Sequence, residues 1–137
     1  MIFAGGCHCG ALAVEFETAR APETLPLREC QCSFCRRHGA RNTVDPEGRV
    51  RIVAAAGALR RYRFALATAD FLLCARCGVY VACVIDDAFA TVNTRVLAGG
   101  ERLSGVPRPT DWSGETADER RARRRTTWTP ATIEERS

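Results

Sequence analysis

Three cysteines fall within one short stretch, Cys30-Gln31-Cys32-Ser33-Phe34-Cys35. Disulfide partners need Cα atoms roughly 4.4–6.8 Å apart with correctly directed side chains, and a Cys-x-Cys-x-x-Cys run meets that poorly. The same sulfurs can converge on one metal ion. Soft thiolates select zinc, copper(I) or iron–sulfur chemistry over hard cations, and a catalytic zinc takes three protein ligands and keeps a fourth position for water or substrate. The triplet is therefore read as an open metal site. Arg36, Arg37 and His38 follow it directly. Guanidinium groups beside thiols favour the thiolate, although the same residues also make an ordinary solvated basic turn.

Two further pairs flank the triplet in the chain. Cys7 and Cys9 are bracketed by Gly5-Gly6 and Gly10, and Cys74-Ala75-Arg76-Cys77-Gly78 has the form of a zinc knuckle. Glycine permits the tight turns that point two sulfurs the same way. Joining the outer pairs gives a closed four-thiolate site, which is normally structural, while the triplet keeps its vacancy. The spacing leaves open which pair joins which. An iron–sulfur cluster commonly asks for four thiolates, and the triplet offers no obvious fourth. A redox dithiol at Cys74/Cys77 lacks the helix that follows a thioredoxin-like motif. Zinc is the expected ion at both sites. Cys83 lies in an apolar run and reads as a small buried hydrophobe, with a fourth ligand for the open site as the alternative. His8 is expected to face solvent.

These groups need a scaffold, and the pattern around them is mostly β. Leu12, Val14 and Phe16 alternate with Ala13, Glu15 and Glu17, as in a half-buried strand. Val50 to Val53, an edge-like Leu59 to Phe64, Val79 to Ile85 and Ala90 to Leu97 also read as strands, the last with Asn93 and Arg95 on one face. Pro107-Arg108-Pro109 and Asp111-Trp112-Ser113-Gly114 read as irregular. Ala117 to Arg125 is charged and helix-permissive, with Asp118 and Glu119 near its start, where the helix dipole favours anions. Its arginines suit a solvated face. A nucleic-acid surface is not expected, because no aromatic residues interleave to stack bases.

The whole chain, residues 1–137, reads as a single zinc-binding domain, with a core at about 5–97 and an Arg-rich C-terminal extension at about 101–137. All 20 basic residues are arginine and the net charge is +4, which permits an anionic partner without demanding one. No apolar run approaches the roughly 20 residues of a membrane helix, and the N-terminus lacks a basic flank and apolar signal core. A cytoplasmic setting is expected, where patterned cysteines more often mean metal or redox chemistry than disulfides.

The cysteine motifs in this order, with Arg36-Arg37 after the triplet, Phe71 to Gly78 and the Asn93-Thr94-Arg95 segment, resemble the glutathione-dependent formaldehyde-activating enzyme family, which includes centromere protein V. The resemblance covers roughly residues 5 to 97. More weakly, Asp111 to Glu115 and the Arg-rich stretch ending at Trp128-Thr129-Pro130 resemble the tail of some bacterial members. It implies a β-tent fold of small packed antiparallel sheets, here with a short C-terminal helical segment. It also implies a structural zinc on Cys7, Cys9, Cys74 and Cys77 and a second zinc on Cys30, Cys32 and Cys35, where a glutathione-like thiol and an aldehyde combine by carbon–sulfur lyase chemistry. Arg36, Arg37 and Asn93 are then the candidate ligand-binding side chains, and His38 the candidate proton relay. The alternatives are a non-catalytic zinc module that binds a protein or nucleic acid, and a thiol-based metal or redox sensor. Oligomeric state is not legible.

Overall fold

The computed structural model describes residues 1–137. In chain order its elements are β1 (Ile2–Gly6), β2 (Leu12–Glu17), β3 (Arg28–Cys30), α1 (Ser33–His38), β4 (Asn42–Thr43), β5 (Arg49–Ala54), β6 (Leu59–Tyr62), β7 (Asp70–Cys74), β8 (Tyr80–Ile85), β9 (Phe89–Asn93), β10 (Arg108–Thr110), α2 (Ala117–Thr127) and β11 (Thr129–Glu135). The protein is mostly β. No helix is long and apolar enough to cross a membrane.

Alternation places the strands as expected in the first half. Strand β2 buries Leu12, Val14 and Phe16 and exposes the residues between them, and it pairs antiparallel with β1 on one side and β5 on the other. Strand β1 carries little sequence signal because Gly5 and Gly6 interrupt its pattern. The structure requires glycine at position 5, where a Cβ would collide with the Val96 carbonyl oxygen. A meander of β6, β7, β8 and β9 forms the second antiparallel region, continued from β9 through β4 and β3 to β10. Strand β8 is buried along its whole length, as a continuous apolar run implies for a strand covered on both faces. Val81 and Val84 join the main core with Phe16, Ile52 and Leu72. Tyr80, Cys83 and Ile85 pack with Cys35 and Trp128 in a second apolar cluster.

The sheet is mixed, where small antiparallel sheets were expected. Strand β10 runs parallel to β3 and β11 parallel to β5. Both of these strands lie beyond residue 107, so each reaches its partner by a long crossover rather than a hairpin, and only hairpin neighbours are obliged to be antiparallel. Strand β11 also joins the two halves. Thr129 and Pro130 pair with β9, and Ala131 to Glu135 pair with β5.

Two local expectations are corrected. The strand foreseen to Leu97 ends at Asn93, and Thr94–Val96 forms a 3-10 turn. The Asn93 side-chain oxygen accepts from Arg95 N at 3.2 Å, capping the turn, so Asn93 is buried while Arg95 is exposed. Arg108–Thr110, foreseen as irregular, is an edge strand whose Arg108 N–H and Thr110 carbonyl bond to Leu27 and Gln31. Pro109 sits between those bonds, at an edge where its missing N–H does no harm.

A carboxylate clamps the loop between β6 and β7. Asp70, its side chain 8% exposed, accepts from Arg61 at 2.9 Å and from Arg63. Arg61 also holds Asp87 in a two-pronged contact at 2.7 and 3.2 Å. Burial alone would raise the Asp70 pKa, but the bonds from Arg63 and Arg61 outweigh it and hold it below the usual carboxylate range. A depressed folded pKa contributes stability above the unfolded value of about 3.9, and that contribution is lost as pH falls through the folded value. Asp70→Asn is therefore expected to cost about 1–3 kcal/mol at pH 7. In urea titrations the gap from wild type should narrow at pH 3.

Candidate functional site

The outer cysteines come together from two turns. The β1–β2 turn carries Cys7 and Cys9, while Cys74 ends β7 and Cys77 lies in the turn that follows it. All four sulfurs lie within 4.8 Å of one another, with Cys7–Cys9 at 3.7 Å and Cys9–Cys74 at 3.6 Å. A tetrahedron with metal–sulfur bonds of about 2.3 Å has sulfur–sulfur edges of about 3.8 Å, so the donor set fits a single zinc-sized ion. Backbone amides already point at the sulfurs. Leu12 N–H donates to Cys7 at 3.2 Å, and Arg76 and Cys77 N–H donate to Cys74 at 3.3 and 3.4 Å. Amides of Val79 and then Cys9 pull the Cys77 thiol down to about 6, towards the thiolate that a metal requires. The positive φ of Gly10 (84°) and Gly78 (82°) lets each turn close.

The inner triplet is built where β3 runs into α1. Cys30 ends the strand, Cys32 caps the helix by accepting from Cys35 N–H at 3.3 Å, and Cys35 is buried one turn in. Their sulfurs also lie within 4.8 Å of one another, which fits three corners of a metal site. Bonds from Cys30 and then Cys35 hold Cys32 far below the ordinary thiol range. Cys30 is raised chiefly through its bond to Cys32, and Cys35 through its bonds to Cys30 and Cys32. Cys83 is 2% exposed and stays outside this group, its thiol pushed up by burial.

Cys30 and Cys32 form part of the wall of a cavity of about 520 Å³, within the size range of small-molecule sites. Phe64, Leu66 and Phe71 supply apolar wall. The loop that carries Phe64 and Leu66 passes through left-handed conformations at Ala65 (φ 54°) and Ala67 (φ 52°), uncommon for residues other than glycine. Trp112, Arg120 and Arg124 close the opposite end of the chain over it. Of the helpers expected from sequence, Arg36, Arg37 and His38 are exposed and line no part of this cavity. Arg37 donates to the Ser33 carbonyl at 3.0 Å, and the His38 ring packs on Phe34 at 4.3 Å. Asn93 is buried and donates to the Tyr80 carbonyl at 3.0 Å while capping Arg95.

The C-terminal arginines are therefore the cationic groups beside the cavity. Glu115 accepts from Arg123 at 2.8 Å and from Arg120 at 3.4 Å, and the bonds from Arg123 and then Arg120 keep it below the usual carboxylate range. Arg123 stacks on Trp112 at 3.8 Å from the ring centre. Arg121 pairs with Asp118 and Arg125 with Asp86. Sequence reasoning missed this cluster because an Arg run reads as a solvated face. The available signal was Trp112 and Trp128 bracketing the run, since each is a flat surface on which a guanidinium stacks.

A family model described as glutathione-dependent formaldehyde-activating enzyme matches residues 2–107. Among solved structures, the crystal structure of a Rhodobacter sphaeroides protein is similar, with 34% sequence identity and a TM-score of 0.61. The similarity covers 78% of this chain and 99% of that one. Both cysteine clusters lie inside the family match, whereas Trp112, Arg120 and Arg124 lie beyond its end.

Proposed function

Because the chain belongs to the glutathione-dependent formaldehyde-activating enzyme family, we propose that it makes or breaks a carbon–sulfur bond between a glutathione-like thiol and an aldehyde, as a carbon–sulfur lyase. The reaction is an addition. The thiol loses its proton, sulfur bonds to the carbonyl carbon, and the carbonyl oxygen takes up a proton to become a hydroxyl.

The contrast between the two cysteine clusters carries this proposal. The outer four sulfurs are spaced as the corners of one tetrahedral site and contribute nothing to the cavity wall, whereas two of the triplet's three cysteines, Cys30 and Cys32, line it. Cys7, Cys9, Cys74 and Cys77 would hold a structural zinc. Cys30, Cys32 and Cys35 would hold a second one, which supplies Lewis acidity and favours thiolate over thiol at neutral pH. Phe64, Leu66 and Phe71 exclude water from one side of the bound pair, strengthening the electrostatic effect of the charged groups on the other. The intramolecular pairing of the arginine run supports an enzyme over a nucleic-acid-binding module. Eight unpaired cysteines suit a cytoplasmic setting.

Native mass spectrometry should find two zinc ions per chain. Exchange NMR of glutathione with carbon-13 formaldehyde should show faster adduct formation with the protein than without it. One zinc per chain, with no acceleration even after zinc is added back, would move the function to a sensor or binding module.

A further inference from the structure

Behind the triplet lies a second, smaller pocket of about 60 Å³ that shares Cys30, Phe71, Trp112 and Arg124 with the main cavity. Its wall has an unusual charge pattern. Arg124 is 9% exposed and has no carboxylate within ion-pair distance. It donates to the Thr68 hydroxyl at 2.8 Å and lies over the Trp128 ring at 4.7 Å, but its buried Nε has no partner. The Thr110 hydroxyl oxygen on the same wall is also buried and unpartnered. Arg28, half-buried, lines the pocket as well. Burial, and then the proximity of Arg123, disfavour its charged form.

Buried polar groups are overwhelmingly hydrogen-bonded, and a buried guanidinium without a counter-charge is costly. An orphaned hydroxyl and an uncompensated guanidinium whose own Nε is unpartnered, both on the wall of one small pocket, describe a receptor for an oxyanion. We propose that this pocket is the carboxylate subsite for the thiol substrate, with Arg124, Arg28 and Thr110 as its receiving groups. This rests on the assignment of thiol chemistry to the triplet. Cys30 and Cys35 line the same pocket, so the favoured substrates are thiols whose carboxylate lies only a few bonds from the sulfur. Arg124 and Thr110 lie beyond residue 107, where the family match ends. Two of the three receiving groups therefore come from the C-terminal segment and the third, Arg28, from β3, so the C-terminal segment contributes most of what selects the thiol.

Calorimetric titration of the zinc-loaded protein with 3-mercaptopropionate, its neutral amide and butyrate tests this. The acid thiol should bind at least about tenfold tighter than the amide, the range expected of a charge-assisted bond. Arg124→Met keeps an apolar stem on Trp128 and should reduce the preference to within about twofold, while Arg124→Lys should retain part of it. Arg28→Gln removes a side chain with no ion pair and should weaken the preference severalfold, which keeps the test decisive if Arg124→Met does not fold. Absence of an acid-over-amide preference in wild type overturns the subsite, as does a preference that survives Arg124→Met or, if that variant does not fold, Arg28→Gln. Butyrate binding as tightly as the acid thiol, with the same dependence on Arg124, would uphold the subsite while removing thiol chemistry from the triplet.

Discussion

Cys74→Ala is expected to abolish the folded state. Cys74 ends β7, is 2% exposed, and its sulfur lies 3.6 Å from that of Cys9 while accepting two backbone N–H groups. Removing it breaks the tetrahedron that ties the β1–β2 turn to the β7–β8 turn, 65 residues away in sequence, and leaves those amides unpaired. Structural zinc contributes on the order of 10–16 kcal/mol in small zinc peptides, against about 5–15 kcal/mol for the stability of a whole domain. The variant should therefore lack the cooperative thermal transition of wild type in circular dichroism and should retain no zinc at the outer site. Cys83→Ala is the matched control, since it removes a buried sulfur from β8 that belongs to neither ligand set. A cooperative melt of Cys74→Ala within a few degrees of wild type would show that the outer four cysteines do not hold the fold through a metal.

Cys32→Ser should have the opposite profile, with a near-normal fold and little or no turnover. Cys32 is only partly buried and is the N-cap of α1, where its sulfur accepts from Cys35 N–H. Serine is a preferred N-cap and offers an oxygen for the same bond, so the local backbone loses nothing. The metal site loses one of three soft ligands. If the triplet metal supplies about 4 kcal/mol of transition-state stabilisation, the rate should fall about 10³-fold, with zinc content dropping from two to one per chain. Unchanged turnover would remove the triplet from catalysis. Loss of the folded state would instead give the triplet a structural role, and the circular dichroism trace separates those two results.

The cysteine triplet and the two outer cysteine pairs, the alternating strand β2, the apolar strand β8 and the start of α2 were all legible before any coordinates. Each rests on local information, such as ligand spacing, the two-residue period of a strand, or acidic residues at a helix start. The structure adds a reciprocal capping box between Thr116 and Glu119. Strand β1 was hidden because Gly5 answers to the Val96 carbonyl, a neighbour more than ninety residues away. The 3-10 turn after Asn93 was hidden because the asparagine side chain competes with the strand's own ladder, a choice that depends on what surrounds it.

The arginines mark the boundary most sharply. By itself the sequence marked one cysteine triplet and two outer cysteine pairs on a mostly β scaffold, because sulfur spacing and hydrophobic period are written within a few residues of each group. It placed the helping charges at Arg36 and Arg37, beside the triplet in the chain. Only the tertiary structure decided that Arg124 and Arg28 face the triplet's pocket while Arg36 and Arg37 face solvent. Strand β11 enters the sheet between β5 and β9, and the chain just before it brings Arg124 and Trp128 to the wall of that pocket. An arginine's charge belongs to its side chain, but its burial, its partners and therefore its chemistry come from residues that meet it only after long-range strand pairing.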